Sequence, residues 1–74
     1  MEKYKSNDEV ITPNGPAVVI GEMAAEMAGC VLVRHRRGIE FDPKRAVKLY
    51  GLGRQGQAAA YKLADVHHAQ GLGI

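Results

Sequence analysis

Apolar and polar residues alternate in short runs over the first fifty positions, and glycine and proline separate the runs. Residues 8–12 carry Val10 and Ile11 and predict a first strand. Thr12-Pro13-Asn14-Gly15-Pro16 then marks a turn, because proline presets φ and Asn and Gly tolerate left-handed backbone. Residues 17–20 are a largely β-branched run ending at Gly21, and predict a second strand. In residues 30–35, strand alternation places Val31, Val33 and His35 on one face and Cys30, Leu32 and Arg34 on the other. Residues 39–42 predict a further strand with Ile39 and Phe41 inward and Glu40 and Asp42 outward. Arg36-Arg37-Gly38 joins these two runs as a tight hairpin turn, where Gly38 can take the positive φ that such turns need. Pro43 stops the strand by removing a ladder donor and restricting Asp42. Residues 44–46 suit one helical turn, and residues 47–50 resume a strand with Lys48 pointing out.

Elsewhere the pattern changes. Residues 22–28 (EMAAEMA) are good helix formers with Met23 and Met27 four apart and Gly29 placed as a stop, so they predict a short helical insert. Residues 51–56 hold three glycines and predict a linker. Residues 57–69 predict a helix: Ala59, Leu63 and Val66 recur at helical spacing on a narrow stripe. Such a helix is marginal alone and has to dock on its own barrel, on a second copy or on a partner. Residues 1–7 are polar and predict a loose arm, and residues 70–74 a frayed tail.

At 74 residues the chain holds one domain with a modest core, built from aliphatic side chains because there are only one Phe, three Tyr and no Trp. The single cysteine, Cys30, excludes an internal disulfide and suits a small buried hydrophobe on a strand. No charged segment followed by an apolar one suggests a signal peptide, and no apolar run approaches the roughly 20 residues of a membrane span, so a cytoplasmic protein is expected. Charge adds more. Residues 34–48 contain six basic and two acidic residues, a net +4, while the rest of the chain is net −2. The basic residues are Arg34, Arg36, Arg37, Lys44, Arg45 and Lys48.

Catalytic constellations are missing from the sequence. Ser6, the only serine, lies in the polar arm, and alternation puts Cys30 and His35 on opposite faces of one strand. Glu40 and Asp42 share a face but sit among cations, which favours ion pairing over acid–base work. On a helix, His67 and His68 diverge by about 100°, so they cannot readily share a metal with Asp65. The Gly-rich GLGRQG stretch lacks the Lys and Ser/Thr ending of a phosphate loop. No enzyme activity, metal or cofactor is expected. The basic cluster has two readings: a solvated turn that keeps an edge soluble, or a site for phosphates or an acidic protein surface. Tyr50 and Phe41 could add a stacking surface, with Phe41 better placed in the core.

Residues 8–50 resemble the small SH3-like barrels, the group that includes KOW and Tudor-type modules. The resemblance is carried by Asp8-Glu9-Val10 with Thr12-Pro13-Asn14-Gly15, by Ala17-Val18-Val19-Ile20-Gly21, by Arg37-Gly38, and by Ile39-Glu40-Phe41-Asp42-Pro43 leading into Val47-Lys48-Leu49. It lacks the second glycine-centred turn of KOW modules after Gly15 and the aromatic cage of Tudor-type modules. A plasmid-borne dihydrofolate reductase uses a similar barrel, but Glu40-Phe41-Asp42-Pro43 lacks that family's glutamine and tyrosine, so its activity is not implied. Barrels of this kind with appended helices are frequent among phage and mobile-element accessory proteins. The resemblance implies a five-stranded SH3-like barrel over residues 8–50, and with the helical insert and the C-terminal α-helix over residues 57–69 read from the residue pattern a mainly β fold is expected. The expected function is a non-enzymatic binding module that meets nucleic-acid phosphates through the six basic residues. The alternative is an adaptor or inhibitor that grips a host protein by a sheet edge or the C-terminal helix, and that helix could also make a homodimer.

Overall fold

The computed structural model describes residues 3–54 and 56–69, and the expected tail at residues 70–74 lies outside them. Its described strands are β1 (Glu9–Thr12), β2 (Gly15–Glu22), β3 (Cys30–His35), β4 (Lys48–Gly53), β5 (Gly56–Lys62) and β6 (His67–His68). All pair antiparallel in one sheet of order β4-β5-β3-β2-β1-β6. The expected five-stranded barrel is therefore corrected to an open six-stranded sheet whose edges are β4 and β6.

The first half follows its local signals. Thr12 pairs with Gly15 across the Pro13-Asn14 turn, and Gly15 takes φ 100°. The Thr12 hydroxyl closes this turn by donating to the Gly15 carbonyl and accepting from the Asn14 N–H. In β3 the alternation holds: Val31, Val33 and His35 are fully buried, and Arg34 is exposed. The predicted insert over residues 22–28 is not an α-helix. Glu22 ends β2, and only a 3-10 turn, Ala25–Met27, remains. Seven residues bridging two paired strands cannot repay the cost of nucleating a helix. Residues 39–42 form no strand either, because the neighbour that β3 takes is β5.

The largest correction concerns residues 51–69. The expected linker is the end of β4 and the start of β5, closed by the Gly53–Gly56 pair, and the expected C-terminal helix is β5, a 3-10 turn (Leu63–Asp65) and β6. Alanine's helix propensity is a weak prior, and tertiary context overrides it here. β5 lies between β3 and β4, with Ala59 and Ala60 fully buried on opposite faces. Small side chains suit a strand covered on both faces. Gly56 has φ 121°, and a Cβ built on it would lie 1.6 Å from the His35 carbonyl oxygen, so only glycine fits.

One face of the sheet carries the core: Val10, Ala17, Val19, Val31, Val33, Ala59 and Tyr61. Irregular segments cover it, contributing Tyr4, Phe41, Ala46, Leu63 and Val66. Tyr4 falls in the stretch expected to be a loose arm, yet it is 1% exposed. Its hydroxyl donates to the Val66 carbonyl at 2.7 Å, and the Glu22 carboxylate accepts from its backbone N–H at 2.7 Å. Burial, and then Glu22 and Asp8, hold its phenol above the usual tyrosine range.

Two substitutions test this architecture by denaturant melts. Gly56→Ala should cost more than about 3 kcal/mol, since clash and positive φ combine, while Gly53→Ala, with open space around it, should stay within about 0.5 kcal/mol. Tyr4→Ala should cost about 3–5 kcal/mol as a core truncation; an unchanged midpoint would mean that the N-terminal segment does not dock.

Candidate functional site

The sheet divides the six predicted basic residues. Arg34 lies in register with Val18 on one side and Ala58 on the other, and Leu32, Ala60 and Lys48 occupy the next row of the same face. This is the face opposite the core. Lys48 Nζ sits 5.4 Å from the centroid of the Tyr50 ring. Arg36 and Arg37 leave the end of β3 in an exposed turn, where Gly38 has φ 89°, as that turn requires. Lys44 and Arg45 stand apart on the 3-10 turn Pro43–Arg45.

Two clefts of about 460 Å³ each flank this region. Arg34 and Arg36 line one, with an apolar floor that includes Pro16, Val18 and Ile39, and with Glu9 as an acidic member. Arg45 lines the other, with Asn14, Glu40, Phe41 and Asp42. Ile39 and Phe41 therefore part company, Phe41 packing against the core and Ile39 facing the first cleft. Arg45 also ties its turn to the rest of the fold. Its Nη1 donates to the Pro13 carbonyl at 3.2 Å, and its Nε lies 3.6 Å from Asp42 Oδ2. The side chains of that ion pair are 61% and 45% exposed, so its contribution to stability is small. Asp42 caps the 3-10 turn by accepting from the Lys44 N–H. Lys44 and Lys48 line neither cleft.

Beneath the second cleft lies a buried polar cluster that sequence reasoning missed. His35 is fully buried. Its Nδ1 is 3.0 Å from the Pro16 carbonyl, which can only accept, so Nδ1 carries the proton. Nε2 then accepts from the Tyr61 hydroxyl at 2.6 Å. The Tyr61 oxygen accepts in turn from Asn14 Nδ2 at 2.9 Å. Asn14 pairs with the Asp42 backbone in both directions, donating to its carbonyl at 3.0 Å and accepting from its N–H at 2.9 Å. Among the described residues no buried side-chain nitrogen or oxygen lacks a partner. One signal was present in the sequence: His35 shares its alternation with Val31 and Val33, which places an imidazole on the core face. Its partner was hidden, because Tyr61 lay in a stretch with helical composition.

Desolvation holds the His35 pKa below the usual histidine value, against a smaller raising effect of the Pro16 carbonyl. The remaining histidines, His67 and His68, are exposed in β6. Among the described residues no three His, Cys, Asp or Glu side chains are grouped to hold a metal, and no helix is long and apolar enough to cross a membrane. No family model, curated protein or solved structure matches the chain, so nothing bears on the KOW-like or Tudor-like resemblance.

The buried imidazole sets the direction of the acid response. The unfolded chain takes up a proton on this histidine at about pH 6.5, whereas the folded chain resists until the pH is lower. Stability should therefore fall as pH drops below about 6.5, by at most about 1.4 kcal/mol per pH unit from this one group, and this component should end below the folded-state pKa. Urea midpoints between pH 8 and 5 should show the slope, and His35→Gln should flatten it. An equal slope in the variant would remove His35 as its source.

Proposed function

We propose that this chain is a small non-enzymatic binding module that meets the phosphate backbone of nucleic acid with the face of its sheet opposite the core. The observation that supports this most is the register that sets Arg34 and Lys48 on one face, with Tyr50 beneath the lysine and Arg36 and Arg37 continuing off the end of β3. Arginine forks and lysine point charges suit phosphate oxygens, and tyrosine offers a ring on which a base can stack. Lys44 and Arg45 lie on a separate turn and would add charge at the margin rather than form the centre. Among the described residues no α-helix is present to read a groove, so binding would be tolerant of sequence.

A second reading, an adaptor for a protein partner, is favoured by one different feature. β4 is an edge strand; Val47 just before it is 48% exposed and Leu49 within it is 40% exposed. An extended peptide could add to such an edge. Docking or dimerisation through a C-terminal helix drops out, because residues 57–62 are a strand.

Fluorescence anisotropy with labelled single-stranded and duplex oligonucleotides at 50 and 200 mM salt separates the readings. The nucleic-acid reading expects affinity to fall steeply with salt, and Arg36→Glu with Arg37→Glu to weaken binding and lower the log–log salt slope by about two. Absent or salt-insensitive binding would overturn it and leave the β4 edge as the surface to pursue.

A further inference from the structure

We propose that protonation of His35 unlatches the 39–46 segment from the β1–β2 turn, so that acid opens this part of the molecule locally before the sheet unfolds. Such a switch rests on the hydrogen-bond chain alone and is independent of the nucleic-acid reading.

The latch is the two-way pairing between the Asn14 side-chain amide and the Asp42 backbone. It fixes the orientation of the amide, because Oδ1 must face the Asp42 N–H and Nδ2 the Asp42 carbonyl. Nδ2 therefore also faces Tyr61, whose oxygen accepts and whose proton goes to His35 Nε2. Every link has one direction. A proton on Nε2 makes that nitrogen a donor, and the Tyr61 hydroxyl then has to send its own proton elsewhere. A phenol proton lies near the ring plane and has two positions. The Tyr61 oxygen would then stand between two donors, His35 Nε2 at 2.6 Å and Asn14 Nδ2 at 2.9 Å, neither of which can accept that proton. The conflict ends if the Asn14 amide turns over and offers Oδ1 to Tyr61. Its oxygen then faces the Asp42 carbonyl and its Nδ2 the Asp42 N–H, so both links of the latch become repulsive.

The surroundings provide no substitute. The groups packed on His35 are Thr12 from β1, Pro16 from β2, Phe41 from the 39–46 segment and Tyr61 from β5. Thr12 Oγ1 is 3.5 Å from Nε2, too long for a strong bond, and its own proton is given to the Gly15 carbonyl. Only Tyr61 among these is titratable. The charged groups lining the cleft beyond Asn14 and Phe41 are Glu40, Asp42 and Arg45, and Asp42 is already engaged by the Lys44 N–H and by Arg45. Once the amide turns, the exposed Arg45 contact to the Pro13 carbonyl and the packing of Phe41 and Ala46 on the core are what hold the segment. Release would uncover Phe41 and the imidazole, and would move Lys44 and Arg45 relative to the sheet.

Backbone hydrogen exchange by NMR tests this. From pH 7 to pH 5 the protection factor of the Asp42 amide should fall by about tenfold while that of Val33, in the central strand, holds. The drop should persist in a His67→Gln, His68→Gln variant and vanish in Tyr61→Phe, where no hydroxyl couples His35 to Asn14. Should Tyr61→Phe fail to fold, His35→Gln gives the same expectation of a protection factor equal at both pH values. Constant Asp42 protection in the native chain, or a fall in step with Val33, overturns the proposal.

Discussion

The pairing of β5 with β3 is the constraint on which the rest depends. β3 has β2 on one side and β5 on the other, so it is the strand through which the two parts of the sheet meet. Its register brings Val33 beside Ala59 and Val31 beside Tyr61 on the core face. At its end the chain passes so close to His35 that position 56 has room for no side chain beyond hydrogen. Without that approach β5 could not run alongside β3, β4 would have no neighbour, and Tyr61 would not reach His35. The outer row of Val18, Arg34 and Ala58, on which the proposed function rests, is set by the same register.

A second organising element grows out of the first. The His35–Tyr61–Asn14 chain reaches from the central strands to the β1–β2 turn and the irregular segment after β3. Each such bond is worth about 1 kcal/mol net, but a buried group left without its partner costs about 1–3 kcal/mol. The arrangement is therefore more valuable as specification than as adhesion: it penalises any packing in which the turn and the segment do not meet. The exposed Arg45–Asp42 pair lies within the segment rather than across the seam, and adds little by comparison. An aliphatic residue at position 35 could fill the space, but it could not hold this seam in a way that answers to a proton.

What was legible in the sequence had local causes. The Pro13-Asn14-Gly15 turn, the alternation of Val31, Val33 and His35 and the positive φ of Gly38 follow from residue chemistry within a few positions, although the hairpin expected at Gly38 is not formed because residues 39–42 are no strand. What was not legible depended on partners far along the chain. Gln57-Ala58-Ala59-Ala60 has helix-forming composition, and with alanine on both faces it shows no alternation to mark a strand. Gly51, Gly53 and Gly56 suggest a linker by count alone, whereas Gly56 is required by a contact with a residue twenty-one positions away. Tyr4 looked like part of a polar arm because its burial depends on Val66 and Glu22. The basic residues were visible as a cluster in sequence, but only the register separates Arg34 and Lys48 on the sheet face from Lys44 and Arg45 on the turn.

The measurement that bears most directly on this account is the pattern of nuclear Overhauser effects over residues 56–62. Antiparallel pairing of β5 with β3 predicts strong sequential Hα–HN contacts through the stretch, with cross-strand contacts between Val33 and Ala59 and between Val31 and Tyr61. A run of sequential HN–HN contacts with Hα–HN contacts three residues apart, and no cross-strand contact to β3, would show a helix there and contradict the account.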